Sequence, residues 1–193
     1  KHSGIFFDDS DVYKALEGIA YSLINNPDPE LEKKADEWID KSAAAQQPDG
    51  YINTFYTLTG QDKRWNNMDK HEMYCAGHMM EAAVAYYQAT GKRKLLDVSI
   101  RMADHMMELF GPGKRHWVPE IELALVKIYR TTGQEKYLDF ANWLLEERGH
   151  GHGSMGGEGK WDPAYYQDVI PVRELTDISG HAVRCMYLYC GMA

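Results

Sequence analysis

A pattern of eight residues that recurs after 42 positions limits the folds open to this chain. Thr-Gly-Lys-Arg-Lys-Leu-Leu-Asp at residues 90–97 returns as Thr-Gly-Gln-Glu-Lys-Tyr-Leu-Asp at residues 132–139. In each copy the glycine suits the left-handed residue that follows a helix, and the Leu-Asp pair begins the next helix. A repeat of this length is typical of stacked helical hairpins. We therefore expect an all-α fold, either an α-solenoid or an α/α toroid.

Capping signals and apolar periodicity divide the chain into seven predicted helices. Asp28, Pro29 and Glu30 form the clearest start signal, because Asp caps a helix and Pro fits its first turn. No strand pattern alternates with the helices, which disfavours a parallel α/β fold. The predicted helices cover about residues 11–24, 29–46, 70–89, 92–109, 119–132 and 134–148, with a last one from about residue 176.

Two long segments interrupt the series of helices. The first, residues 48–68, opens with turn residues and continues into an aromatic run that favours an extended path or a short hairpin. The second, residues 149–175, is rich in glycine at first and in aromatic residues later. Exposed aromatic side chains on loops often line binding clefts. The first segment is a candidate cleft wall for this reason, with Tyr51, Phe55, Tyr56 and Trp65.

Composition excludes several classes of protein. A length of 193 residues suits one domain with a substantial core. The net charge is −8 and no basic run is present, which disfavours nucleic-acid binding. No apolar stretch reaches the roughly 20 residues of a membrane span. Cys75, Cys185 and Cys190 lack the spacing of a disulfide framework or a Cys-x-x-Cys zinc site. We expect a soluble protein, with the cytoplasm and the periplasm both open.

The third predicted helix carries the most unusual group of side chains. His71, Cys75 and His78 share one stripe of it, and most of its other residues are uncharged. The pattern indicates an inner helix whose start faces a cavity. His-Glu at this start begins the zinc-protease pattern His-Glu-x-x-His, but Cys75 stands in place of the second histidine. A His71, Cys75 and His78 metal site stays the alternative to simple packing. Glu72 also fits a capping box, in which its carboxylate reaches the Asp69 amide.

Two further pairs leave a choice between structure and function. His181 and Arg184 lie one turn apart near a helix start, where Arg184 can form a structural ion pair or face a ligand. Glu120 and Glu122 suit the positive end of a helix dipole. Two carboxylates that flank a glycosidic bond are the alternative.

The glycine-rich stretch of the second long segment contains two histidines. Residues 151–156 spell Gly-x-Gly-x-x-Gly, but the dinucleotide motif requires a preceding strand and a following helix, and neither is predicted here. His150 and His152 are typical of a flexible surface segment, and they also offer imidazoles to a metal or ligand.

Five motifs in chain order resemble the β-L-arabinofuranosidase family of glycoside hydrolases. The resemblance extends over nearly the whole chain. It implies an (α/α)6 toroid of six helical hairpins, which agrees with the repeat. The motifs are DSDVYK at 9–14, AQQPDGY at 45–51, HEMYCAGH at 71–78, EIELALV at 120–126 and GHAVR at 180–184.

The resemblance also implies a retaining mechanism with a zinc-bound cysteine as nucleophile and a glutamate as acid/base. In such enzymes these groups lie in a later segment, and Cys185 and Cys190 do not match them. No catalytic or metal-binding residue is therefore assigned here, and zinc is expected only in the full-length protein. Members also tend to carry Gly-His ahead of Glu-Ile-Glu, where this chain has Val118-Pro119. The predicted substrate-binding residues are His71, Glu72, His181 and Tyr51.

These observations lead to one prediction about the chain as a whole. Residues 1–193 are expected to form a single helical domain, a fragment of a larger toroid, because the sequence stops inside a predicted helix. Antiparallel helical hairpins would build an incomplete (α/α)6 toroid. The full-length protein would hydrolyse plant-derived glycans, and this part alone would be inactive. Helix faces left without partners would promote self-association.

Two alternatives stay open. A helical-repeat binding module would explain the 42-residue period, and it would place His71 and His181 far apart on an outer surface. Another toroid enzyme, such as an unsaturated glucuronyl hydrolase, would need a carboxylate base in the cavity. Glu72, Glu81 and Glu120 are the candidates for that base.

Overall fold

A computed structural model describes residues 3–118 and 120–193 of the chain. The described residues form eight α-helices and no multi-residue strand, so the all-α prediction is confirmed. None of the described helices combines the length and the apolarity needed to cross a membrane. The helices are α1 (Asp9–Asn25), α2 (Pro29–Ala45), α3 (Thr54–Thr59), α4 (Glu72–Thr90), α5 (Lys94–Leu109), α6 (Glu122–Thr132), α7 (Glu135–Glu146) and α8 (Ala182–Met192).

Helix α4 lies at the centre of the fold. It packs against α1, α5 and α6, and every residue from Glu72 to Tyr86 except Tyr74 is buried. Small side chains make this close packing possible. Gly77 faces the start of α6, where an added Cβ would lie 3.4 Å from Ile121 Cγ1. The prediction of an inner helix is confirmed.

Lys127 links the three central helices near their middle. Its ammonium lies 3.7 Å from a carboxylate oxygen of Glu17 in α1 and forms a closer ion pair with Glu81 in α4. Burial is incomplete here, because 28% of the Lys127 side chain is exposed. Solvent therefore screens the pairs, and apolar packing contributes most of the attraction between these helices.

The 42-residue repeat marks two equivalent helical hairpins. Gly91 ends α4 with φ of 73°, and Gly133 ends α6 with φ of 71°. Their amides donate to the carbonyls of Tyr87 and Tyr129, at 2.8 and 2.7 Å. Each glycine therefore closes one helix and turns the chain toward the next, as the repeat predicts. The hairpin architecture is confirmed, and the closed toroid stays a prediction.

The first long segment differs from its prediction. Residues expected to be extended form α3, because the Asn53 side chain accepts from the Tyr56 amide at 3.0 Å and caps a helix. Tyr51, Tyr56 and Trp65 are buried. The expectation that these three aromatic rings line an exposed cleft is wrong, because they pack into the core and only Phe55 is half-buried.

Two helices begin at residues other than those predicted. The fifth predicted helix begins at Glu122, and its expected first residue, Pro119, lies outside the described residues. The last one begins at Ala182 and not near residue 176. Its cap explains this start, since the His181 side chain accepts from the Arg184 amide at 3.3 Å.

Candidate functional site

Arg184 joins the starts of three helices. Its guanidinium donates to Glu120 before α6, and lies 3.4 Å from Asp69 Oδ1 and 3.1 Å from His71 Nε2 before α4. The same group stands 4.5 Å from the ring centroid of Tyr166, whose hydroxyl donates to Asp69. The Arg184 ion pair that the sequence left open is therefore confirmed. These residues belong to distant parts of the chain, and Arg184 holds them together.

His71 is fixed between this arginine and its own backbone. Its φ and ψ of 60° and 27° are left-handed, a conformation uncommon in residues other than glycine. Nδ1 lies 2.5 Å from the Asp69 carbonyl oxygen, which can only accept, so Nδ1 carries the proton and Nε2 accepts from Arg184. The rings of Phe6 and Phe7 pack 5.3 and 5.1 Å from the imidazole.

The charge state of His71 follows from these contacts. Burial and the positive charge of Arg184 lower its pKa to about 4. The imidazole is therefore neutral at pH 7, which agrees with a bare Nε2 facing a cation. His71 presents an acceptor and not a positive charge to the site.

Glu72 and Tyr51 form a buried pair behind His71. The Tyr51 hydroxyl donates to Glu72 Oε1 at 2.5 Å, and the Trp65 amide donates to Oε2 at 2.8 Å. Only 1% of Glu72 is exposed, and burial raises its pKa to about 7. The predicted capping box is wrong, because the Asp69 amide donates to another side chain and Glu72 turns into the core. The pair supports the start of α4 from inside.

His181 caps the helix that carries Arg184. Its Nδ1 accepts from the Arg184 amide, and its ring lies 5.1 Å from the ring of Tyr165. His71 and His181 thus contact one residue although 110 positions of sequence separate them, which disfavours the binding module with distant histidines. The predicted set divides into His71 and His181 beside Arg184, and Tyr51 and Glu72 behind them.

Glu120 and Glu122 form ion pairs with different arginines. Glu120 pairs with Arg184, whereas a carboxylate oxygen of Glu122 lies 3.5 Å from Nη2 of Arg148 inside the core. Burial raises the pKa of both carboxyl groups, and the neighbouring arginines oppose that rise. Each carboxylate therefore has its own arginine, an arrangement that stabilises the region where α6 begins.

The cysteines offer no zinc centre in the described part of the chain. The Cys75 thiol is buried and faces the Phe7 carbonyl at 3.7 Å, Cys185 is buried, and Cys190 is exposed. None of them belongs to a described group of three ligand atoms close enough to hold a metal. His78 is likewise packed inside, with Nε2 3.1 Å from the Tyr187 hydroxyl. The cysteine-zinc centre implied by the resemblance stays a prediction for the full-length protein.

Between His71, Trp117, Glu120 and Arg184 the surface forms a narrow crevice. It encloses about 10 Å³, on the order of one water molecule. Sequence patterns did not reveal Asp69 or Tyr166 as members of this site, because a contact across 97 residues leaves no local signal. Arg184, Glu120 and the two histidines carried a signal through their motifs.

Fold and site together define an all-α domain of helical hairpins, with arginine, carboxylate, imidazole and aromatic groups gathered where helices begin. Comparison with known proteins gives the family. The family model described as "Beta-L-arabinofuranosidase, GH127 catalytic domain" matches residues 1–193, and the chain belongs to this family.

Similar proteins support this family assignment. A non-reducing end β-L-arabinofuranosidase of Bifidobacterium longum subsp. longum is 42% identical over 213 residues, which cover 98% of this chain and 32% of the relative. The crystal structure of a GH127 β-L-arabinofuranosidase from Geobacillus stearothermophilus T6 matches all of this chain with a TM-score of 0.92 and 44% identity. A second GH127 β-arabinofuranosidase structure matches it with a TM-score of 0.88 and 43% identity. This chain spans about a third of each relative, 33% and 31% of the two structures.

Proposed function

We propose that this chain forms part of the sugar-binding wall of a glycoside hydrolase of the β-L-arabinofuranosidase type. The observation that carries the proposal is the meeting of His71 and His181 at Arg184. Family membership and the names of the relatives support a carbohydrate substrate. A terminal arabinofuranoside of a plant-derived glycan is the substrate we expect for the full-length protein.

The chemistry of the site suits a sugar. Sugars present hydroxyl groups that both donate and accept, together with a less polar C–H face. Arg184 supplies donors, while Asp69 and Glu120 supply acceptors within the same cluster. The aromatic rings of Phe6 and Tyr165 supply flat apolar surface. His71 accepts from the guanidinium through Nε2 and so orients the donors that a sugar would meet.

The reacting groups are proposed to lie outside these 193 residues. Glu120 pairs with Arg184, and Glu81 pairs with Lys127. Glu72 is bonded to Tyr51 and the Trp65 amide inside the core. These contacts make all three poor candidates for a catalytic base. A full-length enzyme would bring its acid/base, its nucleophile and any zinc against the wall formed here.

Exposed apolar side chains on α8 support one more part of the proposal. Val183 and Met186 lie one helical turn apart and are each about half exposed, at 54% and 48%. A helix face of this kind is covered in a larger domain or by a second copy. We propose that the isolated chain self-associates through this face.

The experiment compares this chain with a longer one. Release of the aryl group from an aryl β-L-arabinofuranoside is measured for both chains, and L-arabinose binding to the short chain is followed by NMR titration. We expect turnover by the longer chain alone. His71→Ala and His181→Ala should weaken binding by about tenfold or more, equal to about 1.4 kcal/mol.

His150→Ala is the matched control, because this exposed histidine lies outside the site. Turnover by the 193-residue chain would contradict the proposal that the reacting groups lie outside these residues. Equal sugar binding by both site variants and the control would contradict the proposed wall.

A further inference from the structure

We propose that His116, Glu147 and His152 form a binding site for a divalent first-row transition metal such as Zn²⁺. The three residues come from the segment before α6, the end of α7 and the glycine-rich loop that follows. Within the described residues they are the group of His, Cys, Asp and Glu side chains whose ligand atoms lie close enough to share a metal. They are separate from the site around Arg184.

Hydrogen bonds already gather the three possible ligands at one point. Glu147 Oε2 lies 2.5 Å from His116 Nδ1 and 2.7 Å from His152 Nδ1. All three ligand atoms lie within 4.8 Å of one another. A tetrahedral zinc site needs ligand atoms separated by roughly 3.3 Å, since its bonds to nitrogen and oxygen are about 2.0–2.2 Å long. Metal binding would therefore lengthen the two contacts by about 0.6–0.8 Å and would require the imidazole protons to leave Nδ1 for Nε2.

The ligand types select the metal. Two imidazoles and one carboxylate bind zinc with a fourth position left for water, and imidazole also suits copper, iron and nickel. Magnesium prefers oxygen ligands and should not bind. The cluster is open to solvent, since the exposed fractions of the His116 and His152 side chains are 50% and 30%. A metal ion and its water can therefore reach it.

The basic residue next to the cluster leaves it available. The Arg148 side chain is buried, donates to the Tyr166 carbonyl at 2.7 Å and pairs with Glu122. The Glu147 carboxylate is bonded to the two histidines. The carboxylate supplies an oxygen ligand beside the two imidazole nitrogens, a donor set that suits a divalent cation.

Metal binding would tie three separate segments together. Residues 149–157 contain four glycines with positive φ, and such a loop loses much conformational entropy when it becomes ordered. The loop also contacts the residues before α4, because the Met68 amide donates to the Ser154 carbonyl at 3.0 Å. His116 directly precedes Trp117 and Val118, which line the crevice beside Arg184. A bound ion would therefore brace the wall of the crevice.

The test is a calorimetric titration of chelator-treated protein with Zn²⁺, with Mg²⁺ in a parallel titration. A Cys190→Ser background removes the exposed thiol as a competing ligand. We expect one Zn²⁺ per chain, no Mg²⁺ binding and a rise in melting temperature with zinc. His116→Gln and His152→Gln should each weaken zinc binding about tenfold or more.

His150→Gln serves as the matched control, because its ring lies 6.0 Å from that of His152 and is not a member of the cluster. Its zinc affinity should stay within about twofold of the parent. Circular dichroism verifies that each variant folds. If one ligand variant fails to fold, the other still tests the site. The proposal is overturned if the parent shows no saturable binding of one Zn²⁺, or if both ligand variants bind zinc as tightly as the control.

Discussion

Replacement of Arg184 by methionine should destabilise the protein strongly at pH 8 and less at pH 5. Methionine keeps much of the side-chain volume and removes the charge. Only 9% of the Arg184 side chain and 7% of the Glu120 side chain are exposed, so this is a buried ion pair. Loss of one partner from such a pair costs about 3–5 kcal/mol, because the other charge stays buried without compensation.

The weaker contacts of Arg184 add little to this cost. Asp69 is 29% exposed on its side chain and lies 3.4 Å away, so its ion pair with Arg184 contributes less than about 1 kcal/mol. The Glu120 pair therefore decides the magnitude. An unfolding free energy lowered by about 3–5 kcal/mol would remove a large part of the stability of a typical domain.

The pH dependence follows from Glu120. Burial already raises its pKa, and the Arg184 charge is the largest effect that opposes this rise. Without Arg184 the pKa rises further, so the carboxyl becomes protonated at low pH and no longer needs a partner. The destabilisation should therefore grow as pH increases through the new pKa of Glu120. Urea unfolding at pH 5 and pH 8 measures both values.

A double-mutant cycle isolates the pair. Glu120→Gln removes the buried charge, so adding it to Arg184→Met should recover at least about half of the lost stability at pH 8. NMR titration gives an independent reading, since the pKa of His71 should rise from about 4 toward its ordinary value once the cation is gone. A pH-independent loss below about 1 kcal/mol, with additive effects of the two substitutions, would refute the reasoning.

Three further predictions concern two buried titratable side chains and two exposed glycines. Because burial raises the Glu72 pKa to about 7, the unfolding free energy should fall by about 3 kcal/mol from pH 4 to pH 8, and Glu72→Gln should flatten this slope in urea unfolding. Burial lowers the His78 pKa from 6.5 to about 4, so NMR titration should show His78 neutral down to pH 5. The unfolding free energy should fall as pH drops below 6.5, because the unfolded chain then binds the proton that the folded protein excludes. Gly18→Ala, in open space within α1, should raise the unfolding free energy by about 1 kcal/mol, whereas Gly91→Ala should lower it by about 1 kcal/mol because φ is 73°. Urea unfolding measures both, and a change in the same direction for the two variants would contradict this prediction.

Local sequence signals predicted the helices well because the forces that specify helix ends act over a few residues. Asp28 caps α2 as expected, with its carboxylate accepting from the Glu30 and Leu31 amides at 3.0 Å each. Gly91 and Gly133 close their hairpins for the same reason. Two exceptions were local, because the Asn53 and His181 caps that begin α3 and α8 were not predicted. The others were residues whose partners lie far away in sequence, since no periodic pattern records such contacts.

Glu72 is the clearest of these exceptions. Its spacing from Asp69 satisfies the capping box, but the Tyr51 hydroxyl and the Trp65 amide provide two charge-assisted hydrogen bonds in a dry environment. These bonds are stronger than one at the exposed helix start. The site shows the same limit. The motifs indicated His71 and His181, whereas the bond from Tyr166 to Asp69 became visible only in three dimensions.

The central position of α4 has a consequence for hydrogen exchange. Helices α1, α5 and α6 cover it on several sides, so its amide protons can reach solvent only when the whole helical core opens. Exchange of the α4 amides should therefore report the global free energy of unfolding. Amides of the glycine-rich loop at residues 149–157 should exchange through small local openings. Comparison of the two rates would separate the stability of the scaffold from the mobility of the segment beside the crevice.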